Sequence, residues 1–240
     1  MEVILLENAI EISKAVSSII IEAVQKKPAS VLGFATGASP IETYKRMIEA
    51  YENGEVSFKD ATTFNLDEYC GLPKEDENSY YYFMKENLFS KAGFDFSKVN
   101  FLSGDPENGE SCCEEYGKKI AAAGGIDIQL LGVGTNGHIG FNEPSESFSD
   151  GPFKVKLTES TINSNSKYFI DRPMPRYAFT MGVGDIMRAK KIILIATGES
   201  KAKAVYSMVK GEVTPHCPAS ILQNHADATI FVDRESAKLL

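Results

Sequence analysis

Residues 130–144 read LLGVGTNGHIGFNEP, and this stretch decides the fold. It begins inside an apolar run at 126–131, which is followed by three glycines and a histidine: Gly132, Gly134, Gly137 and His138. Short apolar runs bounded by glycines are typical of buried parallel strands, and sites in open α/β sheets lie beyond the carboxyl ends of such strands. An imidazole there, with Glu143 close behind it in the chain, suits proton transfer near neutral pH. The stretch therefore predicts a central strand that ends in a catalytic loop.

Two other interpretations of this loop are open. The glycines match the G-x-G-x-x-G pattern of dinucleotide-binding folds, but that pattern requires a helix to begin at the third glycine. Here Gly140 and Pro144 follow too soon for a regular helix, so a nicotinamide cofactor is disfavoured. The other alternative is a structural histidine in a glycine turn, which this stretch alone does not distinguish from a catalytic one.

The rest of the chain alternates between short apolar segments and segments with helical periodicity. We predict strands at 3–6, 30–35, 61–66, 99–102, 126–131, 154–157, 176–181, 191–196 and 229–233, with 154–157 at a sheet edge. We predict helices at 9–26, 40–51, 78–89, 112–122, 183–188 and from residue 201, and a polar loop at 163–167. Strands that alternate with helices predict a parallel sheet. The expected fold is therefore α/β, with residues 1–240 forming one domain around a single doubly wound, mostly parallel sheet that has helices on both faces.

Two turns that follow predicted strands have the composition of an anion-binding loop. The first is TGASP at 36–40, where Ser39 is a candidate N-cap and the proline a suitable first helical residue. It is either an ordinary capped turn or a cradle in which backbone N–H groups and the hydroxyls of Thr36 and Ser39 hold a phosphate. The second is TGES at 197–200, with Lys201 in the first helical turn. A cation there opposes the helix dipole, so an anionic ligand explains Lys201 better than helix stability does.

Two adjacent acids, Asp67 and Glu68, follow the predicted strand at 61–66. Acidic residues that leave a central strand are less usual than acidic residues on a helix surface, which makes this pair a candidate for acid–base chemistry. The structural alternative is that they cap a helix or lie in a solvated turn.

Composition excludes several classes of partner. The net charge of −8 argues against nucleic acid or an anionic membrane as the main partner, so an anionic substrate must be held by local cations and backbone N–H groups. The start of the chain lacks a basic leader followed by a long apolar segment, and no stretch approaches a membrane span.

The four cysteines show no C-x-x-C spacing, which predicts a reduced, cytoplasmic protein. The three histidines show no i, i+4 pairing, which disfavours a metal site.

Seven segments carry a resemblance to a known family. They are ATGASP at 35–40, TFNLDEYCGL at 63–72, LLGVGTNGHIGFNEP at 130–144, NSNSKYF at 163–169, TMGVGDIM at 180–187, TGESKA at 197–202 and PASILQNH at 218–225. In this order, across nearly the whole chain, they resemble the glucosamine-6-phosphate deaminases, whose Rossmann-like fold is shared with 6-phosphogluconolactonase. The resemblance implies conversion of glucosamine 6-phosphate and water to fructose 6-phosphate and ammonia, with no metal or redox cofactor.

The resemblance also implies a role for each matching residue. Asp67 is the base at C1 and C2 of the sugar, His138 is the acid–base of ring opening, and Glu143 with Asn136 orients or tunes the histidine. Glu68 and Tyr69 support these groups. The residues implied in holding the substrate phosphate are Thr36, Gly37, Ala38, Ser39, Lys167 and Lys201.

The chain departs from the family pattern at several positions. Asn136 stands where some members carry aspartate, and Lys167 stands where arginine is common, which replaces a bidentate fork by a point charge. Larger relatives are hexamers activated by N-acetylglucosamine 6-phosphate, and Phe153 and Val155 fall where those relatives have basic residues. The expectation is a non-allosteric monomer.

Two rival functions share part of this pattern. A 6-phosphogluconolactonase has a similar glycine–histidine loop but needs no base at C2, so the DEY segment at 67–69 and FNEP at 141–144 favour the deaminase. A non-catalytic sugar-phosphate sensor would keep the phosphate cradle and could lose the proton-transfer residues. This chain has no helix-turn-helix segment before its first strand and carries Asp67, His138 and Glu143.

Overall fold

The described residues form ten short strands and seven α-helices, with short 3-10 and π-helical turns between them. The computed structural model describes residues 1–240, apart from the side chain of residue 110. The strands are β1 (Glu2–Leu5), β2 (Val31–Phe34), β3 (Thr62–Asn65), β4 (Asp67–Tyr69), β5 (Val99–Asn100), β6 (Ile128–Gly132), β7 (Phe153–Lys156), β8 (Tyr177–Thr180), β9 (Lys191–Ala196) and β10 (Ala228–Val232). The helices are α1 (Ala9–Lys26), α2 (Ile41–Glu52), α3 (Tyr80–Met84), α4 (Gly109–Ala122), α5 (Glu159–Asn165), α6 (Val183–Met187) and α7 (Ala202–Lys210).

Seven of the strands form one parallel sheet in the order β1-β10-β9-β6-β2-β3-β5. From β2 the chain proceeds through β3 and β5 in one direction, and then through β6, β9 and β10 in the other. The order therefore reverses between β2 and β6, and α/β sheets bind their ligands beyond the carboxyl ends of the strands at such a reversal. The predicted fold class is confirmed.

Both faces of this sheet are buried. Neighbouring residues of β6 belong to different core clusters: Leu130 packs with the layer that contains α1 and α2, and Leu131 packs with the opposite layer. Ile193 and Leu194 of β9 divide in the same way. A strand that is covered on both sides must be apolar at every position, which is why these segments read as continuous apolar runs.

A second, three-stranded antiparallel sheet in the order β4-β8-β7 was not predicted. Asp67 lies opposite Thr180 in its register, and Phe153 lies opposite Thr180 on the other side. Leu66 joins the two sheets, because its N–H donates to Phe34 of β2 (3.1 Å) and its carbonyl accepts from Met181, just after β8 (2.7 Å). The edge strand predicted at 154–157 is confirmed as an edge, but of this second sheet.

Three local predictions were wrong. Ser39 does not cap α2, because Pro40 occupies the cap position and no side chain bonds there. Residues 163–167 are not a loop: they complete α5 and enter a 3-10 turn at Ser166–Tyr168. Thr161 is the one buried residue of α5, so this short helix lacks the apolar periodicity that would reveal it in the sequence. The strand predicted at 99–102 is paired only over Val99–Asn100.

The described part of the chain contains no helix with the length and apolar composition needed to cross a membrane.

Candidate active site

The loop after β2 is an open turn at the point where the sheet order reverses. Gly37 has φ of +89°, which favours glycine, and a Cβ on Gly37 would meet no heavy atom within 4 Å. The Ser39 hydroxyl oxygen lies 3.8 Å from the position that a Cβ on Gly132 would occupy, which places the turn beside the end of β6. Because Ser39 does not cap α2, its hydroxyl remains available to a ligand. The turn has the form expected of an anion cradle.

The loop after β9 is held by a carboxylate that sequence reasoning missed. Gly198 has φ of +86°, and its N–H donates to both oxygens of Asp233, at 3.1 and 3.0 Å. Asp233 directly follows β10, and its Oδ1 also accepts from the Ser236 N–H (2.8 Å). Lys201 follows this loop, and its half-buried ammonium makes no hydrogen bond or ion pair with any described residue. Burial lowers the pKa of Lys201.

Asp67 is a buried carboxylate without a hydrogen-bond donor among the described residues. Burial raises its pKa well above the ordinary value, and the neighbouring charge of Glu68 raises it further. Its Oδ2 lies 3.6 Å from the position that a Cβ on Gly140 would take. Asp67 therefore lies next to the turn that follows His138, although the two residues are 71 positions apart in the chain. A carboxylate held in this way has a proton affinity suited to a general base.

Glu68 points away from Asp67 and holds a helix. Its Oε1 accepts from the Tyr80 N–H and its Oε2 from the Tyr81 N–H, both at 2.9 Å, so it binds the start of α3. Burial raises the pKa of Glu68 to about 7, against the lowering effect of these backbone hydrogen bonds. Glu68 thus has the capping role of the structural alternative. Side chains alternate along a strand, which explains why adjacent acids have different roles.

His138 and Glu143 form a pair inside a tight glycine-rich turn. His138 Nδ1 lies 3.4 Å from Glu143 Oε2 and contacts no other hydrogen-bonding group of the described residues. A Cβ on Gly134 would lie 2.2 Å from the imidazole ring, so only glycine leaves room for this ring position. Asn136 connects the pair, because its amide donates to Glu143 Oε2 (2.9 Å) and its oxygen accepts from the His138 N–H (3.2 Å).

The other oxygen of Glu143 is held from outside the loop. Glu143 Oε1 accepts hydrogen bonds from the hydroxyls of Thr161 and Thr158, the latter at 3.1 Å. Burial raises the pKa of Glu143, but the opposing effects of His138, Thr161 and Asn136 are larger and bring it to about 2. Sequence reasoning missed both threonines. The T-x-x-T pattern at 158–161 signals a helix cap, but nothing local connects it to Glu143.

This turn is anchored to the second sheet. The Phe141 N–H donates to the Thr180 hydroxyl (3.1 Å), and the side-chain amide of Asn142 donates to the Met181 carbonyl, just after β8 (2.8 Å). Phe141 stacks on Tyr80 with ring centroids 5.8 Å apart. These contacts bring the loop after β6 to the strand that pairs with Asp67.

Lys167, like Lys201, is a predicted site residue that no described contact connects to the others. It lies exposed in the 3-10 turn Ser166–Tyr168, with its ammonium 5.1 Å from the centre of the Tyr168 ring. The structure thus brings together the cradle at 36–39, Asp67 and the group formed by Asn136, His138 and Glu143. Among the described residues, no cluster of three or more histidine, cysteine, aspartate or glutamate side chains is arranged to hold a metal ion.

Comparison with known proteins supports a functional interpretation of this arrangement. A family model described as glucosamine-6-phosphate isomerases/6-phosphogluconolactonase matches residues 7–231. Curated glucosamine-6-phosphate deaminases from Thermoanaerobacter pseudethanolicus and Clostridium botulinum are each 46% identical over the whole chain, which covers 95% and 99% of their lengths.

Solved structures agree with these relatives. A structure described as a monomeric glucosamine-6-phosphate deaminase is 38% identical, with a TM-score of 0.96 and full coverage of both chains. The 6-phosphogluconolactonase from Trypanosoma brucei has a TM-score of 0.80 at 21% identity, covering 100% of this chain and 98% of its own, which shows the shared fold alone.

Proposed function

The chain belongs to the family of glucosamine-6-phosphate isomerases and 6-phosphogluconolactonases, and we propose that it converts glucosamine 6-phosphate and water to fructose 6-phosphate and ammonia. The observation that carries the proposal is the position of Asp67 against the turn that follows His138. Opening a sugar ring and isomerising the open chain require an acid–base group and a separate base. Here an imidazole and a carboxylate from different strand ends lie at one site.

Ring opening is the task of His138. A proton must leave the anomeric hydroxyl and another must reach the ring oxygen, and an imidazole can transfer both near neutral pH. The Glu143 carboxylate, 3.4 Å from Nδ1, stabilises the imidazolium while it carries the proton. Asn136 fixes the carboxylate in this position through the amide hydrogen bond to Oε2.

Isomerisation and deamination use Asp67. In the open-chain aldehyde, which carries its amine on C2, Asp67 takes the C2 proton while the C1 oxygen gains a proton, so that an enolamine forms. The same carboxyl then returns its proton to C1 as the amine nitrogen loses one. The resulting ketimine at C2 adds water and expels ammonia, which leaves fructose 6-phosphate. A raised pKa makes the Asp67 carboxylate a stronger base and its acid a useful donor for the return step.

The phosphate group is held at the two small-residue turns. Backbone N–H groups of Gly37 and Ala38 and the hydroxyls of Thr36 and Ser39 face it from the turn after β2. Lys201 supplies a cation from the loop after β9, where its ammonium has no competing partner among the described residues. Lys167 contributes from the exposed turn after α5 once substrate is bound.

The protein acts as a non-allosteric monomer of the cytoplasm. The relative with the TM-score of 0.96 is described as monomeric. Phe153 and Val155 lie on β7. The resemblance leads us to expect cations at these positions in an activated hexamer, and a phenyl and an isopropyl group offer no charged hydrogen bond to a second sugar phosphate.

Ammonia release from glucosamine 6-phosphate tests the proposed function. Chelator-treated protein should release ammonia and form fructose 6-phosphate in equal amounts, with a hyperbolic rate curve that N-acetylglucosamine 6-phosphate does not sharpen. The same protein should not open 6-phosphogluconolactone above the spontaneous rate. Lactone opening without ammonia release would replace the deaminase by the lactonase, and tight binding of the sugar phosphate without turnover would make the protein a sensor.

A further inference from the structure

The hydrogen bonds of Glu143 divide between two parts of the molecule. Oε2 faces His138 and accepts from Asn136, both within the turn after β6. Oε1 accepts from Thr158 and Thr161, which lie at the start of α5, beyond the small antiparallel sheet. The orientation of the carboxylate that faces the imidazole is therefore set from a different structural unit.

We infer that Thr161, assisted by Thr158, is a positioning residue for the catalytic pair formed by Glu143 and His138. Resting on the proposed function, this inference adds residues with no assigned role in it. Thr161 is 3% exposed and is the buried residue of α5, so its hydroxyl has no access to bulk water. The Thr161 hydroxyl has one proton to donate, and it donates this proton to Oε1 of Glu143, which lies within hydrogen-bond distance.

The two threonines do not contribute equally. Thr158 is the N-cap of α5, and its oxygen accepts from the Thr161 N–H at 3.3 Å. Removing the Thr158 hydroxyl would therefore disturb the helix as well as Glu143. Thr161 uses its hydroxyl for Glu143 and lies inside the helix, so its replacement tests the positioning role more directly.

The same unit also positions the base. β7 leads into Thr158, β8 pairs with β7, and β4, which carries Asp67, pairs with β8. Thr180 of β8 lies opposite Asp67 and accepts the Phe141 N–H. The small sheet thus fixes Asp67 at one edge and, through α5, Glu143 at the other. Any relative displacement of the two edges would change the geometry of both catalytic carboxylates together.

Thr161→Val is the test, since valine keeps the shape and removes the donor. Losing one charge-assisted hydrogen bond to an aligned carboxylate should lower kcat by about 10- to 100-fold, with KM for glucosamine 6-phosphate changed by no more than about threefold. Thr161→Ser retains the hydroxyl and should recover most of the loss. Ser164→Ala is the matched control, because the Ser164 hydroxyl bonds within α5 to the Ser160 carbonyl and should not affect turnover.

A double-mutant cycle separates positioning from folding. In a Glu143→Gln background, Thr161→Val should have little further effect on kcat, because the hydroxyl acts through the carboxylate that is already gone. Equal losses in both backgrounds, or kcat of Thr161→Val within twofold of wild type, would overturn the inference. A wild-type protein that releases no ammonia would instead refute the proposed function.

Discussion

Asp67 and Glu143 are both buried carboxylates at one site, but their surroundings differ in a way that separates their chemistry. Asp67 is 6% exposed and receives no hydrogen bond from the described residues, and burial raises its pKa. Glu143 is 8% exposed, accepts hydrogen bonds from Asn136, Thr158 and Thr161, and has a pKa near 2. Burial alone therefore does not decide the proton affinity of a carboxyl group. The charges and donors that face its oxygens decide it as well, and for Glu143 the facing His138 has the largest lowering effect.

The proposed mechanism gives the two groups different tasks. A carboxylate that must exchange protons with carbon benefits from a raised pKa and from the absence of donors that would stabilise its charge. A carboxylate that must remain ionised beside an imidazole benefits from as many donors as the fold can direct at it. The local environment of Glu68 is intermediate, with burial opposed by backbone N–H groups and a pKa of about 7.

The largest expected effect is that of Asp67→Asn on turnover. Asparagine cannot accept the C2 proton, so ammonia release should fall by about 10³-fold or more, within the range typical of general-base removal. Exchange of the C2 proton with solvent, followed by NMR in deuterium oxide, should be lost to the same extent, while binding of the sugar phosphate persists. Rapid C2 exchange in this variant would show that another group is the base.

Glu143→Gln should have a smaller effect on the same reaction. The glutamine keeps an oxygen for its donors but removes the negative charge that stabilises the imidazolium. We expect kcat to fall by about 10- to 100-fold, as for other residues that support a catalytic histidine. Exchange of a C1 proton of fructose 6-phosphate with solvent should be retained when the reaction is started from the product side with ammonia, because this step does not require the glucosamine ring to open. Equal losses in both assays would remove the distinction between the two carboxylates.

The two lysines proposed to bind phosphate also differ in their surroundings. Lys201 is half-buried without a competing partner, whereas Lys167 is exposed above the Tyr168 ring. Lys201→Ala should cost about 1.5–3 kcal/mol of substrate binding, seen as a rise in KM of about 10- to 100-fold. Lys167→Ala should raise KM only about two- to fivefold, as expected of an exposed charge. A larger effect at Lys167 would mean that the turn after α5 provides the main phosphate contact.

The smallest expected effect is on the free energy of unfolding at neutral pH, where replacing Asp67 and replacing Glu143 should have opposite signs. The raised pKa of Asp67 means that its ionised form opposes folding above its ordinary pKa, so Asp67→Asn should stabilise the protein by about 1–2 kcal/mol. The depressed pKa of Glu143 means that its ionised form supports folding above its ordinary pKa, and this support is lost as the pH falls toward 2. Glu143→Gln should therefore destabilise the protein by about 1–3 kcal/mol.

Urea unfolding at pH 7 measures both changes in one series. The cost of Glu143→Gln should shrink as the pH is lowered from 5 to 3, because the unfolded chain protonates this carboxyl near its ordinary pKa of 4.5 while the folded protein keeps it ionised down to about pH 2. Changes of the same sign in the two variants would contradict the assignment of a raised pKa to one group and a lowered pKa to the other.

The sequence predicted those parts of the structure that are set by residues close together in the chain. Alternating strands and helices, the turns at 36–40 and 197–200 and the glycine loop before His138 each depend on neighbouring residues, so their composition reveals them. The capping role of Glu68 was an open alternative, because the helix that it holds starts at Tyr80, twelve residues away. The N-cap predicted at Ser39 failed because the actual cap position falls one residue later, at Pro40.

The amino-acid sequence by itself determined the α/β fold class, the two small-residue turns at 36–40 and 197–200 and the residue types of the candidate site, since these follow from periodicity and from backbone freedom at a few glycines. Only the tertiary structure decided the protonation of the two carboxylates. Proton affinity depends on which charges and donors face an oxygen, and two of the donors to Glu143, Thr158 and Thr161, come from the start of α5 beyond a second sheet. The position of Asp67 depends on Leu66 joining two sheets through its own N–H and carbonyl, a contact that no window of sequence contains.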